Sequence, residues 1–426
     1  MIKTWDVIDG LKLEERVPTL PPEPIAVPTV DGPPIYFSDG RLGQHVLLVG
    51  SIGQGKTNTI CHLLAGVRAA MKPEDIAVVF DPKGDYLRRF RRPGDIVINN
   101  PDGDNDSQIW NLIEELRASS CDPEETLNEI AYTLFNEEIE RSQQPFFPLA
   151  AKDLFAAVLS NLASNPGSTN ASIRDYWDSK SRQQILADLQ SKGETRGVSH
   201  YIGIEGQQAL GVLGHVLQVT HGVFIGRFRQ PGNLSIRMAV RNRGARCVFI
   251  EYRVSSGKAL APVYKVLVDL AIKEALGGGL RRGRVFMFID EFRLLPRLLH
   301  MDHGVNFGRE FGLRFVVAMQ NQAQVSAAYS EEAESILSGF NTVFAFRVSN
   351  PETREFIKGL AGQNRKRFAV PSLVMGPPVQ QIIGGHVVED HNISDLRPGE
   401  AVIFTPGCAP FVAQMALYQE RNVPER

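Results

Sequence analysis

The chain has 426 residues, 43% of them hydrophobic, and a formal net charge of -2. That is enough apolar material for a large core and more than one domain. It is too little net charge for a global attraction to nucleic acid, so any such contact has to be local.

In chain order, the first stretch is rich in proline ("VPTLPPEPIAVPTVDGPP"), an extended lead-in or edge strand and not a helix. Its start, Met1-Ile-Lys-Thr-Trp-Asp, is no signal peptide, and no apolar run along the chain reaches membrane-spanning length. His45-Val-Leu-Leu-Val49 is apolar enough for a buried parallel strand, and Ile60, Leu63, Leu64, Val67 and Met71 recur at helical spacing. Ile76–Phe80 reads as a second strand, running into Asp81-Pro-Lys-Gly-Asp85, and Ile96–Ile98 as a third. From 106 to 228 helix-forming, polar stretches dominate and strand signals nearly vanish. Cys247–Tyr252 resumes the sheet, and a long amphipathic helix over Lys258–Leu276 follows. Further apolar runs lie at Arg284–Ile289, Leu313–Met319, Val343–Val348 and Ala401–Phe404. Strands alternating with helices predict a parallel sheet covered on both faces. The expected architecture is an α/β domain with a mostly parallel central sheet and an inserted all-α domain. Its parts are 1–105, the helical insertion 106–228, and 229–426.

Between the first strand and its helix stands Gly50-Ser-Ile-Gly-Gln-Gly-Lys56-Thr57, the P-loop pattern. Glycines let successive N–H groups point at one spot, and the helix N-terminus adds attraction for an anion. Gly50, Ser51, Ile52, Gly53, Gln54, Gly55, Lys56, Thr57 and Asn58 are therefore expected to cradle the phosphates of ATP. Lys56 reaches the β- and γ-phosphates and Thr57 gives a hydroxyl to Mg²⁺. The strand Arg284–Ile289 ends in Asp290-Glu291. Asp290 is the expected second Mg²⁺ residue, and Glu291 the base that polarises the attacking water. Gln320, at the carboxyl end of Leu313–Met319, is placed to touch the γ-phosphate or that water.

Other features carry less. The four cysteines, at 61, 121, 247 and 408, are scattered, which excludes a Cys metal motif or a secreted disulfide framework and fits a reducing setting. His300 and His303 are too loosely spaced for a metal pair and read as packing or surface residues. Four basic clusters, Arg88–Arg92, Arg241–Arg246, Arg281–Arg284 and Arg365–Phe368, are candidates for nucleic-acid contact, and two include a Phe able to stack a base.

Four stretches, "HVLLVGSIGQGKT", "VVFDPKGDYLRRF", "VFMFIDEFRLLPRL" and "GREFGLRFVVAMQNQAQV", resemble the type IV coupling proteins of bacterial conjugation and type IV secretion, within the FtsK/HerA group of RecA-like motors. The resemblance implies an ATP- and Mg²⁺-dependent homo-hexamer at the cytoplasmic face of the cell membrane. It implies single-stranded DNA or relaxase-bound nucleoprotein as substrate, and relaxosome proteins and secretion-channel components as partners. It also implies that Arg309, preceding the glutamine strand, acts on a neighbour's γ-phosphate. The family's usual transmembrane anchor has no counterpart here, so membrane contact is expected through a partner or through an anchor that was removed. A protein-only secretion or pilus ATPase, and a nucleotide-dependent docking adaptor, are the competing readings. Glu291 argues against the adaptor.

Overall fold

A computed structural model describes residues 5–99, 108–119, 122–193, 197–203, 206–253, 257–277, 283–370 and 379–419. Cys121, Arg281 and Arg282 lie outside the described residues. The strands are β1 (Trp5–Asp9), β2 (Ile25–Val27), β3 (Ile35–Phe37), β4 (Val46–Val49), β5 (Ile76–Asp81), β6 (Ile96–Ile98) and β7 (Arg246–Glu251). They continue with β8 (Val285–Ile289), β9 (Leu313–Met319), β10 (Thr342–Phe346), β11 (Gln363–Val370), β12 (Val379–His386), β13 (Glu400–Phe404) and β14 (Phe411–Gln414). The chain divides into two compact units, one of residues 1–72, 286–297 and 301–426, the other of residues 73–285 and 298–300.

In the first unit the main sheet runs β14-β13-β10-β4-β9-β8. β4 lies parallel to both β10 and β9, with Val49 level with Ala345 and with Met319. β13 and β14 add antiparallel strands at one side. Every residue of β4, β9 and β10 is buried, as continuous apolar runs covered on both faces require. Parallel strands present their carboxyl ends together, and that is where an open α/β sheet binds its ligand. A separate antiparallel sheet, β1-β11-β12, has no strong apolar alternation to announce it.

In the second unit β5-β7-β6 form an all-parallel set. Among the described residues from 112 to 242 the regular elements are helical, the longest spanning Pro123–Arg141, Phe146–Ala163 and Gln207–Val223. The expected α/β class with a mostly parallel central sheet is thus present. The helix Phe146–Ala163 has the length and mean composition of a membrane span, with 18 residues and mean hydropathy 1.3. Yet 56% of it is buried, and Phe155 packs on Phe135 with ring centroids 5.5 Å apart, so it is the core helix of the bundle.

Glu115 ties this bundle together. Its carboxylate is fully buried and accepts from Trp110 Nε1 at 2.7 Å, Ser235 Oγ at 2.8 Å, Ile236 N at 2.6 Å and Arg237 N at 3.3 Å. One side chain therefore holds the start of the helix Ile236–Asn242 to residues more than a hundred positions earlier. Glu115→Ala strands four buried donors, and is expected to cost about 3 kcal/mol or more. Urea denaturation with circular dichroism reads this directly. A loss below about 1 kcal/mol would mean that water replaces the carboxylate without penalty.

The histidine at 300 links two carboxylates. Its Nδ1 lies 2.9 Å from Asp269 Oδ2 and its Nε2 3.5 Å from Glu129 Oε1. Burial lowers its pKa, but the two carboxylates outweigh burial and raise it from 6.5 to about 9. A raised pKa stabilises fully below the unfolded value and is lost as pH climbs through the folded one. The melting-temperature gap between the wild type and His300→Ala should be widest near pH 6 and narrow by pH 10. A gap that stays constant across that range would exclude the ion pairs as its source.

Candidate nucleotide site

β4 delivers the chain into the glycine-rich turn at its carboxyl end. Gly50 N–H donates to Met319 O at 3.2 Å and Ser51 N–H to Arg347 O at 2.9 Å, so both flanking strands fix the turn's start. A Cβ at Gly50 would lie 2.6 Å from Phe346 Cβ. Gly55 has φ +108°, and a Cβ there would lie 3.0 Å from Gly399 Cα. The first glycine is demanded by space and the second also by conformation.

The helix Lys56–Ala70 starts at once after Gly55. Lys56 is 9% exposed, and its Nζ donates to Gly50 O at 2.6 Å and Ser51 O at 2.9 Å, folding the ammonium back over the loop. Ile52, at the tip, is 75% exposed. Gln54 is 8% exposed; its backbone carbonyl accepts from Gly399 N at 2.9 Å, while its side-chain Oε1 has no partner.

Thr57 Oγ1 donates to Asp290 Oδ2 at 3.1 Å. A hydroxyl and a carboxylate meeting at a P-loop are hard oxygen ligands of the kind Mg²⁺ takes, so the donor set fits. Among the described residues there is no cluster of three or more His, Cys, Asp or Glu able to hold a metal. A cation here would complete its shell with phosphate and water.

Glu291 has both oxygens engaged. Gln320 Nε2 donates to Oε2 at 2.9 Å and Arg293 Nε to Oε1 at 3.1 Å. The structure thus brings together the P-loop with Thr57 and Asp290, and Glu291 with Gln320. It does not bring Arg309 to them. Arg309 is exposed and precedes β9, whereas Gln320 follows it. The six steps of β9 between Leu313 and Met319 separate the two ends by about 20 Å. Within one subunit Arg309 belongs to the far end of the sheet.

Sequence reasoning placed Asn58 in the phosphate cradle and missed the segment that its side chain holds. Asn58 Nδ2 donates to Ala416 O at 2.9 Å, and its Oδ1 accepts from Tyr418 N at 2.7 Å. His62 Nε2 also lies 2.9 Å from Ala416 O. The segment after β14 is therefore bound across the first turns of the P-loop helix. Main-chain partners such as these leave no residue-type signal. Arg293 and Arg347 were given no role, although each lies inside a stretch already singled out, Arg293 in "VFMFIDEFRLLPRL" and Arg347 in Val343–Val348.

The basic clusters fare unequally. Phe90 is 6% exposed and is core, not a stacking platform. Arg241 is bound to Glu274 and to Ala118 O, Arg243 is buried and bound to Glu74 O, and Arg284 pairs with Asp75 at 2.6 Å. In the last cluster Lys366 pairs with Glu389 at 2.6 Å, and Phe368 is half-buried. Arg365 and Arg367 stay exposed, level with Asp9 and Asp6 on β1.

Known proteins resemble this chain in sequence and in fold. The family pattern described as "Type IV secretion-system coupling protein DNA-binding domain" matches residues 31–372. The chain is 24% identical over 395 residues to Coupling protein TraD of Escherichia coli (strain K12), covering 89% of this chain and 53% of that protein. It is 19% identical over 416 residues to Probable conjugal transfer protein TraG of Sinorhizobium fredii (strain NBRC 101917 / NGR234), covering 91% and 64%. The chain thus spans about half to two-thirds of the length of these relatives. Among solved structures, the unbound bacterial conjugative coupling protein TrwBdeltaN70 superposes with TM-score 0.76 at 20% identity, over 94% of this chain and 91% of that one. TrwB in complex with ADP and Mg²⁺ gives 0.70 at 20% identity, over 90% and 87%. VirB4 of Thermoanaerobacter pseudethanolicus gives 0.56 at 14% identity, over 96% and 98%. These likenesses carry the α/β fold with its mostly parallel central sheet.

Proposed function

The chain belongs to the type IV secretion-system coupling protein DNA-binding domain family, and on that premise we propose that it is an ATP-hydrolysing motor for a type IV secretion or conjugation channel. It recruits single-stranded DNA, or a relaxase-bound nucleoprotein, and moves it toward that channel. The observation that carries the ATPase reading is the Glu291–Gln320 contact beside the Thr57–Asp290 contact. A base and a polar sensor flank a phosphate cradle with its metal residues. TrwB, of the same fold, has been solved with ADP and Mg²⁺ and with a non-hydrolysable ATP analogue, which supports the same ligands here.

In this reading the backbone of Gly50–Asn58 holds the triphosphate and Lys56 leaves its two carbonyl partners for the β- and γ-phosphates. Thr57 and Asp290 would hold Mg²⁺, which when bound would supply positive charge beside the phosphate oxygens. Glu291 orients a water and takes its proton. Gln320 holds Glu291 in place and senses the γ-phosphate. Arg309 works on the next subunit of a homo-hexamer. The helical part over 106–228 docks relaxosome or channel components, and the ring works at the cytoplasmic face of the cell membrane.

A second reading, a protein-only secretion or pilus ATPase, is favoured by one observation. Arginines of two basic clusters, Arg241, Arg243 and Arg284, are consumed in internal bonds. ATPase rate with and without single-stranded DNA, read beside oligomeric state, separates the two. The motor reading expects stimulation by DNA of any sequence. It also expects binding whose salt slope is roughly 0.7 per neutralised phosphate. An assembled ring that hydrolyses ATP yet ignores DNA would hand the case to protein transport.

A further inference from the structure

We propose that Arg347 is a phosphate-binding residue of the nucleotide site, acting on the P-loop of its own subunit. The proposal rests on the ATPase reading above and adds to it a cation that neither the motif nor the resemblance supplies.

Strand order is the first support. β10 lies beside β4 on the side away from β9, and all three strands run parallel. The residue after β10 therefore emerges at the same sheet end as the P-loop and Gln320. Arg347 is that neighbouring position, and its carbonyl accepts the Ser51 N–H at 2.9 Å. Its backbone is fixed from both sides, since Phe346 is 0% and Val348 1% exposed. Phe346 also forms the floor against which Gly50 and Gly55 pack. An arginine side chain is longer than the roughly 4.8 Å between neighbouring strands, so its guanidinium has reach over the loop.

Charge is the second support. Among the described residues Arg347 is exposed and has no side-chain hydrogen bond or ion pair. The other local charges are already matched in kind. Arg293 sits on Glu291 at 3.1 Å, and Lys56 and Asp290 add one charge of each sign. A magnesium-bound triphosphate keeps net negative charge, and these residues present it with no net positive charge. Arg347 makes the balance favourable without waiting for a neighbour. A guanidinium held on a rigid strand end is pre-organised to grip phosphate oxygens, often with two bonds at once.

The test is titration of the purified full chain with ADP and with a non-hydrolysable ATP analogue, both with Mg²⁺. Arg347→Ala should weaken the ATP analogue by roughly 10- to 100-fold, the loss of a charge-assisted hydrogen bond. Arg347→Lys should recover part of that loss. The nucleotide-free melting temperature should not change, because the side chain supports nothing in the fold. Lys56→Ala is the control. If it too binds like the wild type, the nucleotide reading itself fails. If it loses binding while Arg347→Ala does not, this proposal alone fails. Mixed assemblies settle which subunit is served. Arg347→Ala mixed with Lys56→Ala should regain no turnover, because both defects fall on one P-loop. Recovered turnover would overturn the same-subunit assignment.

Discussion

Glu291→Gln should hold ATP and hydrolyse it ~10²–10⁴-fold more slowly, the usual weight of a general base. The amide has the shape of the carboxylate and lacks its basicity. Its environment predicts that the fold survives, because Glu291 is only partly buried and both its partners are side chains that can turn to water. Binding should survive as well, since Thr57 and Asp290 are bonded to each other and not to Glu291. The measurement pairs single-turnover hydrolysis with nucleotide titration. A variant that hydrolyses at the wild-type rate removes Glu291 from the chemistry. A variant that cannot bind places it among the metal residues with Asp290.

Arg309→Ala should lower turnover of the assembled protein by ~10³–10⁵, the range for an arginine supplied across a subunit boundary. The location of Arg309 sharpens this expectation. It precedes β9 while the P-loop lies beyond the other end of that strand's neighbour, β4. No rearrangement short of unfolding brings it to its own nucleotide. Isolated subunits of the variant and the wild type should therefore hydrolyse equally slowly, and the difference should appear on assembly. Mixing Arg309→Ala with Lys56→Ala subunits should restore part of the rate, because some boundaries then pair an intact P-loop with an intact arginine. Co-assembly without any recovery would place Arg309 outside the site.

Much of the site was legible because each part is a type of residue at the end of a type of strand. β4, β8 and β9 are continuous apolar runs, and the residues after them, Gly50, Asp290 and Gln320, stood out for that reason. The same rule applied to β10 singles out Arg347, and an arginine following Val-Phe-Ala-Phe was passed over only because no motif names it. Other elements gave no such handle. β11 reads Gln-Asn-Arg-Lys-Arg-Phe-Ala-Val, a charged loop by composition. It is a strand because β12 pairs on one side of it and β1, more than 350 positions earlier in the chain, on the other. Glu115 follows Glu114 in an ordinary helix start, and nothing local distinguishes the one that is fully buried from the one that faces solvent. Lys152 and Asp153 near the start of the helix Phe146–Ala163 masked its apolar length, which emerges only when its whole span is counted.

The bonds from Asn58 to Ala416 and Tyr418 have a mechanical meaning. They run to main-chain atoms on both sides of Leu417, and so grip the segment and not a replaceable side chain. Tension applied to that segment is carried to the helix that begins with Lys56 and Thr57 through Asn58, with His62 one turn on sharing the Ala416 carbonyl. A load on the strand can thus tilt the phosphate cradle, and a nucleotide that stiffens the cradle resists the load in turn. In the motor proposed above, Asn58 and His62 are where strain and nucleotide occupancy would be exchanged. Removing both, Asn58→Ala with His62→Ala, would let the two vary separately.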